Sequence, residues 1–493
     1  MNILMVYPEY PDAFWAFKTA LKFVRRKASM PPLGLLTVAS MLPQEWNKLV
    51  VDLNIRPLTD QHIAWADMVF VSAMLVQSKS AQEVIDRCKA AGKKVVAGGP
   101  VFTNMSDRFR NIDHIVANEA EVTLPLFLAD LAAGNLKPEY RSAEKPKLNR
   151  VPLPMWQLIN FKDYAFMLLQ YSRGCPWDCD FCDITVMFGR VPRVKSEQQM
   201  IAEFQLLYDL GYRGTVFLVD DNFIGNALHV KRFLKAFISW QLEHGYPFVL
   251  TTEASVDLAD DEELMALMQQ ANFSKVFVGI ETVNKESLLG CHKDQNAKRD
   301  LVAVVNKVQS FGMQVYGGFI VGLDKDPPSV FDELISYIQK TGVVSAMVGL
   351  LQAVPGTDLW NRLKAEGRLL EDSTGNNTGS RLNFIPQMDP EHLIAGYKRI
   401  LRTIYASKNY YQRIWTFIKN YHPTSKSQLK LRELGALIKS VWHIGIVSEK
   451  RWLYWQLLVR TFFTKIRAIP VAVELTIMGL HFEKVVVDVC GED

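Results

Sequence analysis

No run of about 18 uninterrupted apolar residues occurs in the 493-residue chain, so an ordinary membrane-spanning helix is not expected. The best late candidate, IPVAVELTIMGL, is short and carries Glu474. The opening segment, MNILMVYPEYPD, lacks a basic stretch followed by an apolar run of about 7 to 15 residues, so it reads as a first buried strand rather than a secretory leader. Cysteine is scarce. Three of the six crowd between Cys175 and Cys182 while Cys88, Cys291 and Cys490 lie scattered, which argues against a disulfide framework and for metal ligation in a reducing compartment. A cytoplasmic location is the expectation, with peripheral contact at the inner membrane face as a further possibility. Repeats and long low-complexity tracts are also missing. What is present is a folded composition, 49% apolar and 22% charged, on a chain long enough for two or three domains.

The net charge of +4 conceals an asymmetry. Between Tyr397 and Pro470 fifteen Lys and Arg face only Glu433 and Glu449, an excess of thirteen that leaves the rest of the chain at −9. Trp415, Trp442, Trp452 and Trp455 are interleaved with these charges. Basic helices with Trp and Leu suit a membrane surface or an apolar substrate presented there. The competing reading is a helical cap whose aromatics pack inward and whose charges are solvated. A nucleic-acid partner is not expected, since no recognisable binding module accompanies the charge.

Residues 1–136 alternate short apolar runs (ILMVYP, LVVDLN, ADMVFVSAML, KVVAGGP, HIVANEAE) with helical patterns, which predicts an α/β, doubly wound parallel sheet. Residues 137–160 read as a polar, Pro-containing linker. Over residues 161–365 six further strand patterns (FMLLQYS, TVFLVD, FVLTTEA, KVFVGIE, QVYGGFIV, SAMVGLL) alternate with helices, predicting a (β/α)6 partial TIM barrel with its chemistry at the strand C-terminal ends. Residues 366–493 read as a mainly helical C-terminal domain, with GNNTGS at 375–380 as an exposed loop.

The chemistry-bearing motif follows the first barrel strand: Ser172-Arg173-Gly174-Cys175-Pro176-Trp177-Asp178-Cys179-Asp180-Phe181-Cys182-Asp183. CxxxCxxC spacing supplies three thiolates to a tight loop, whereas iron–sulfur clusters normally take four protein ligands. A fourth is not nearby, which leaves one iron open to a small molecule. A structural zinc site is the alternative, although zinc wants a fourth Cys or His and the first histidine after Cys182 is His229.

This triplet, followed by these strands, resembles the radical S-adenosylmethionine (SAM) superfamily over roughly residues 166 to 360. The resemblance implies that Cys175, Cys179 and Cys182 hold a [4Fe-4S] cluster whose open iron takes the amino and carboxylate groups of SAM. One electron then breaks the sulfonium bond to release a 5′-deoxyadenosyl radical. It places Phe181 near the adenine and the second strand end, with Asp221 and Asn222, near the SAM amino group, although these two side chains alone could equally cap the next helix. Glu253, Ser255, Glu281 and Gly318, at the ends of the third to fifth strands, are the further SAM-side candidates. Pro355-Gly356-Thr357 completes the match.

The front sheet resembles the cobalamin-binding domains that precede many radical SAM cores. Its matching positions are Leu33 and Gly34 in Pro31-Pro32-Leu33-Gly34-Leu35, Ser72, Gly98 and Gly99 before Pro100, and Glu119 in Glu119-Ala120-Glu121. One departure is plain: the DxHxxG loop of many such domains is Tyr7-Pro8-Glu9-Tyr10-Pro11-Asp12 here, with no histidine before His62, so a bound corrin lacks that lower ligand. The arrangement is most similar to the class containing the hopanoid C-2 methylases. It implies a cobalamin-dependent methyltransferase acting on an unactivated carbon of an apolar or lipid-like small molecule, with a reductase, flavodoxin or ferredoxin as electron donor. Two alternatives stay open on the residues: a radical SAM enzyme with a vestigial front domain doing cyclisation, coupling or rearrangement, and a non-catalytic metal-stabilised binding protein.

Overall fold

Asn2–Tyr7 (β1) alternates its side chains between two apolar layers, Ile3 and Met5 entering one and Leu4 and Val6 the other, so the strand is buried on both faces. In the computed structural model, which describes residues 1–376, 378–423 and 431–491 (side chains of 431–433 excepted), β1 pairs in parallel with Asn47–Asp52 (β2) and Met68–Ser72 (β3). Lys94–Gly98 (β4), His114–Val116 (β5) and Glu139–Tyr140 (β6) extend the sheet in the order β2-β1-β3-β4-β5-β6. The order reverses between β1 and β3. A ligand crevice opens at such a switch point, outside the strand C-terminal ends.

Met167–Leu169 (β7) starts the second sheet, and the chain then forms a short antiparallel hairpin from Ser172–Arg173 (β8) and Arg193–Val194 (β9). Gly214–Leu218 (β10), Phe248–Ala254 (β11), Phe273–Glu281 (β12), Gln314–Val321 (β13) and Ser345–Leu350 (β14) follow in consecutive parallel order beside β7. All six strand patterns expected for the partial barrel are present, with helices 197–209, 227–243, 262–270, 301–310 and 330–341 as crossovers. Helices 390–405, 407–420, 431–440, 451–465 and 469–490 form the C-terminal region. Arg413 anchors it: fully buried, its guanidinium donates to Gln339 Oε1 and the Ile404 carbonyl, both at 2.6 Å, and to the Val344 carbonyl at 3.2 Å.

Three features differ from the sequence reading. Residues 137–160 are packed rather than a free linker, because β6 joins the front sheet and Leu148, Val151 and Trp156 are buried. The stretch 375–380 is not an exposed loop. Thr378 is buried, its carbonyl accepts from Tyr397 Oη at 2.9 Å, and Gly375 lies against Leu75, while Asn377 is outside the described residues. Finally, IPVAVELTIMGL is part of one 22-residue helix, Ile469–Cys490, which packs against the other C-terminal helices and the short helix Lys18–Leu21. Among the described residues no helix is long and apolar enough to cross a membrane.

The segment after β1 reaches across the molecule. Phe14 stacks on Phe482 with ring centroids 4.7 Å apart, and its carbonyl accepts from His481 Nε2 at 2.9 Å. Trp15 Nε1 donates to Met347 Sδ at 3.0 Å, and its ring lies 5.5 Å from Phe277 and 6.3 Å from Tyr316.

Candidate active site

The chain leaves β8 through Gly174, whose φ of +97° suits glycine and whose missing Cβ would sit 2.8 Å from the Gly189 carbonyl. That close approach lets the Cys175 N–H donate to Gly189 at 3.3 Å and closes the cysteine loop. On its far side the Asp180 N–H donates to the Cys291 carbonyl at 3.2 Å, and the Asp180 carbonyl accepts from the Leu359 N–H at 2.8 Å. Cys175, Cys179 and Cys182 are free thiols, and all three line one large cavity. Burial pushes each thiol above its usual range. Iron binds the thiolate, so loading releases protons. Anaerobic loading with iron and sulfide is therefore expected to tighten as pH rises from about 7 to 9, and loading titrations followed by charge-transfer absorbance check this.

The end of β10 braces this loop. Asp220, fully buried, accepts from the Tyr171 N–H at 3.2 Å, from Ser172 Oγ at 2.6 Å and from the Ser172 N–H. Asp221 accepts from the Gly174 N–H at 2.8 Å. Asn222 Nδ2 donates to Ser255 Oγ at 2.9 Å and points at Cys175 Sγ, 3.8 Å away, while Trp177 Nε1 donates to Ser255 Oγ at 3.1 Å. Helix capping does not explain Asp221 and Asn222, because Asn226 caps the 227–243 helix. Glu253 completes an acidic shelf. Burial, and then Asp221 and Asp220, push its carboxyl up to about 8, while burial raises Asp220 to about 7 and Asp221 to about 6. Three such carboxyls favour an incoming cation.

Opposite stands Glu281, whose φ of +61° at a register shift in β12 marks local backbone strain. Its carboxylate pairs with Lys293, whose Nζ lies 5.9 Å from the centre of the Phe181 ring. Gln295 Nε2 points at Cys179 Sγ, 3.9 Å away, and its buried Oε1 has no hydrogen-bond partner among the described residues.

The structure brings Cys175, Cys179, Cys182, Phe181, Asp221, Asn222, Glu253, Ser255 and Glu281 to one cavity, together with Leu33, Gly34 and Ser72 from the front sheet. Gly318, Gly98, Gly99 and Glu119 are not on its wall. Gly318 makes room for the Phe277 ring, 2.8 Å from where its Cβ would be, and a Cβ on Gly98 would meet the Val116 carbonyl at 3.0 Å. Gly99, at φ +96°, lets the backbone pass under Ser72, whose Oγ would lie 2.7 Å from a Cβ. Glu119 instead joins the two sheets: it pairs with Arg173 at 2.7 Å and Arg193 at 2.8 Å, beside Glu121, which pairs with Arg173 at 2.7 Å. Sequence reasoning missed Asp220, Lys293 and Gln295. Asp220 was visible as half of a Val-Asp-Asp strand end, but the other two belong to no readable pattern.

The cavity measures about 2060 Å³, roughly twice the upper end of ordinary ligand pockets, and is mainly apolar. It spans the β1/β3 switch point, through Tyr7, Tyr10 and Met74, the cysteine loop, and the barrel interior as far as Thr215, Lys275 and Gln314. Among the described residues no histidine lines it. The cavity thus has the volume for a corrin beside the switch point with no histidine to ligate it from below. The three thiols that line it, with the Gln295 amide beside Cys179, have the donor chemistry of an iron–sulfur cluster, although among the described residues they are not drawn together into a closed metal site.

Residues 169–338 match the radical SAM superfamily, residues 23–128 match the B12 binding domain, and residues 357–493 match a domain of unknown function (DUF4070). An uncharacterized methyltransferase of Synechocystis sp. is 42% identical over 462 residues, covering 92% of this chain and 86% of that one. The hopanoid C-2 methylase of Rhodopseudomonas palustris is 33% identical over 474 residues, covering 93% and 89%. Among solved structures, the cobalamin-dependent SAM radical enzyme OxsB with aqua-cobalamin and SAM bound superposes with a TM-score of 0.66 at 14% identity, covering 99% of this chain and 80% of that one. The radical SAM methyltransferase TsrM of Kitasatospora setae gives 0.59 at 15% identity over 76% and 77%.

Proposed function

Because the chain belongs to the cobalamin-binding radical SAM methyltransferases, the family of the hopanoid C-2 methylase, we propose that it methylates an unactivated carbon of an apolar, lipid-like molecule. The enzyme uses a [4Fe-4S] cluster, SAM and cobalamin, and its substrate is a small molecule. When bound, the cluster and SAM supply a radical able to take hydrogen from carbon, and the corrin carries the methyl group.

In this reading Cys175, Cys179 and Cys182 hold the cluster. Asp221, Asn222 and Ser255 orient the amino end of SAM, Glu253 and Glu281 meet its remaining polar groups, and Phe181 packs on the adenine. Glu253, neutral near pH 7 until a cation arrives, donates to a hydroxyl or accepts from an ammonium as the ligand requires. Leu33, Gly34 and Ser72 flank the corrin, with Gly98 and Gly99 supporting Ser72. The electron comes from a reductase, flavodoxin or ferredoxin in a reducing cytoplasm.

The observation that carries the substrate class is the largely apolar barrel interior, lined by Trp15, Leu168, Phe217, Phe277 and Met347, where the charges at the floor, Lys275 and Glu474, already pair with each other. Outside, Trp442, Trp452, Trp455 and Phe463 are exposed beside the exposed Arg451 and Arg460, a combination that supports peripheral contact with an anionic bilayer. The test is anaerobic turnover with methyl-labelled SAM and hopanoid-containing lipid extract in phosphatidylglycerol vesicles. Label in an apolar product, and protein sedimenting with the vesicles, are the expected results. Label confined to water-soluble products refutes the substrate class, and protein left in the supernatant refutes the membrane contact.

A further inference from the structure

The floor of the cavity, at the N-terminal ends of the barrel strands, carries polar groups that the cofactor chemistry does not use. Gln314, the first residue of β13, lines this floor at 2% exposure, and neither its amide oxygen nor its amide nitrogen has a hydrogen-bond partner among the described residues. An amide buried this way is costly unless something bonds to it. Its neighbour across the β12–β13 register is Lys275, paired with Glu474 of the 469–490 helix, and Tyr316 stands beside them with its ring 5.9 Å from Lys275 Nζ. Burial works against the Lys275 charge, but Glu474 more than offsets it and holds the ammonium above its ordinary range, so Lys275 stays charged and held by its partner. What the floor offers is thus an unmet amide, able to donate and accept, beside a charge pair with no net charge.

We propose that Gln314, with the Lys275–Glu474 pair beside it, forms a second binding subsite that takes a neutral hydroxyl at the far end of the apolar substrate. The proposal rests on the substrate class argued above. An ionised group is disfavoured, because either sign would have to break the pair. A hydroxyl matches the amide, since it donates to Oε1 and accepts from Nε2. At about 3.3 Å per residue, β13 separates the floor from the strand ends by roughly 20 Å. The subsite therefore acts as a ruler that fixes which carbon of an elongated molecule reaches the cofactor end.

The test uses holoenzyme and two probes of one skeleton, 5α-cholestan-3β-ol and 5α-cholestane, supplied from detergent and quantified by mass spectrometry after gel filtration. The expected result is about tenfold tighter retention of the alcohol, the size of one well-made buried hydrogen bond. Gln314→Met, which keeps length and removes both polar atoms, should lose that preference while retaining the hydrocarbon as the native protein does. Gln314→Glu, still able to accept, should keep part of it. Equal retention of both probes by the native protein overturns the subsite and leaves the apolar-substrate reading standing. Retention of neither overturns both, and a preference that survives in Gln314→Met overturns the assignment to Gln314.

Discussion

Cys179→Ala is expected to yield no 5′-deoxyadenosine above the enzyme-free background when SAM is incubated with it anaerobically under reduction. On a four-iron cluster three thiolates leave one iron open for SAM, and removing one would leave two irons without a protein ligand. The nearest spare thiol is Cys291. It is not expected to step in, because it does not line the cavity but is buried with Leu323, Leu359 and Phe384, and its Sγ donates to the Leu288 carbonyl at 3.4 Å. Cys291→Ala is thus the control: it should keep native iron content and native 5′-deoxyadenosine formation. Liquid chromatography with mass spectrometry, beside iron and sulfide analysis, reads both outcomes. Undiminished SAM cleavage by Cys179→Ala would refute the role given to the triplet.

Arg173→Met is expected to cost about 3 to 5 kcal/mol, the usual penalty for stranding a buried charge. Arg173 directly precedes Gly174 and the cysteine loop, and it joins that loop to two carboxylates of the front sheet domain. Its side chain is 12% exposed, that of Glu119 is 3% and that of Glu121 is 11%, so water screens none of them well. Glu119 keeps Arg193 in the variant, but Glu121 loses the guanidinium that holds it. In the native protein burial raises the Glu121 carboxyl and Arg173 more than offsets this, so the net displacement is downward. A lowered carboxyl gives stability that is present above its unfolded value, about 4.3, and is lost as pH falls through the folded value. The contribution is therefore complete at neutral pH. In the variant Glu121 moves upward instead, so the gap to the native protein should narrow as pH falls from 7 toward about 5. Urea unfolding of the holoenzyme at several pH values checks the size and sign. Arg173→Met combined with Glu121→Gln should recover part of the loss, which distinguishes a stranded charge from simple loss of packing.

Much of this architecture was legible because parallel strands buried on both faces are written as short continuous apolar runs. All six barrel strands and the helices between them are where those runs lie, and the triplet falls just past the first. The less legible parts share a cause. Residues 137–160 look polar on average, yet three apolar side chains, Leu148, Val151 and Trp156, decide their packing. GNNTGS has loop composition, but composition does not tell whether a loop faces water or a cavity. Glu119 follows a front-sheet strand as a cofactor-binding residue would, and only the fold reveals Arg173 and Arg193 beside it. Lys293 and Gln314 acquire meaning solely from what stands across from them.

The contact between Phe14 and the His481–Phe482 pair joins residues 467 positions apart. During synthesis at about 5 to 20 residues per second, the early aromatic segment waits roughly 25 to 90 seconds for its partners to leave the ribosome. Throughout that interval Phe14, Trp15 and Phe17 have no completed interior to enter. The early aromatic segment thus stays apolar and unpartnered until the last helix emerges, and capture of that segment by a chaperone during the interval is the expected consequence.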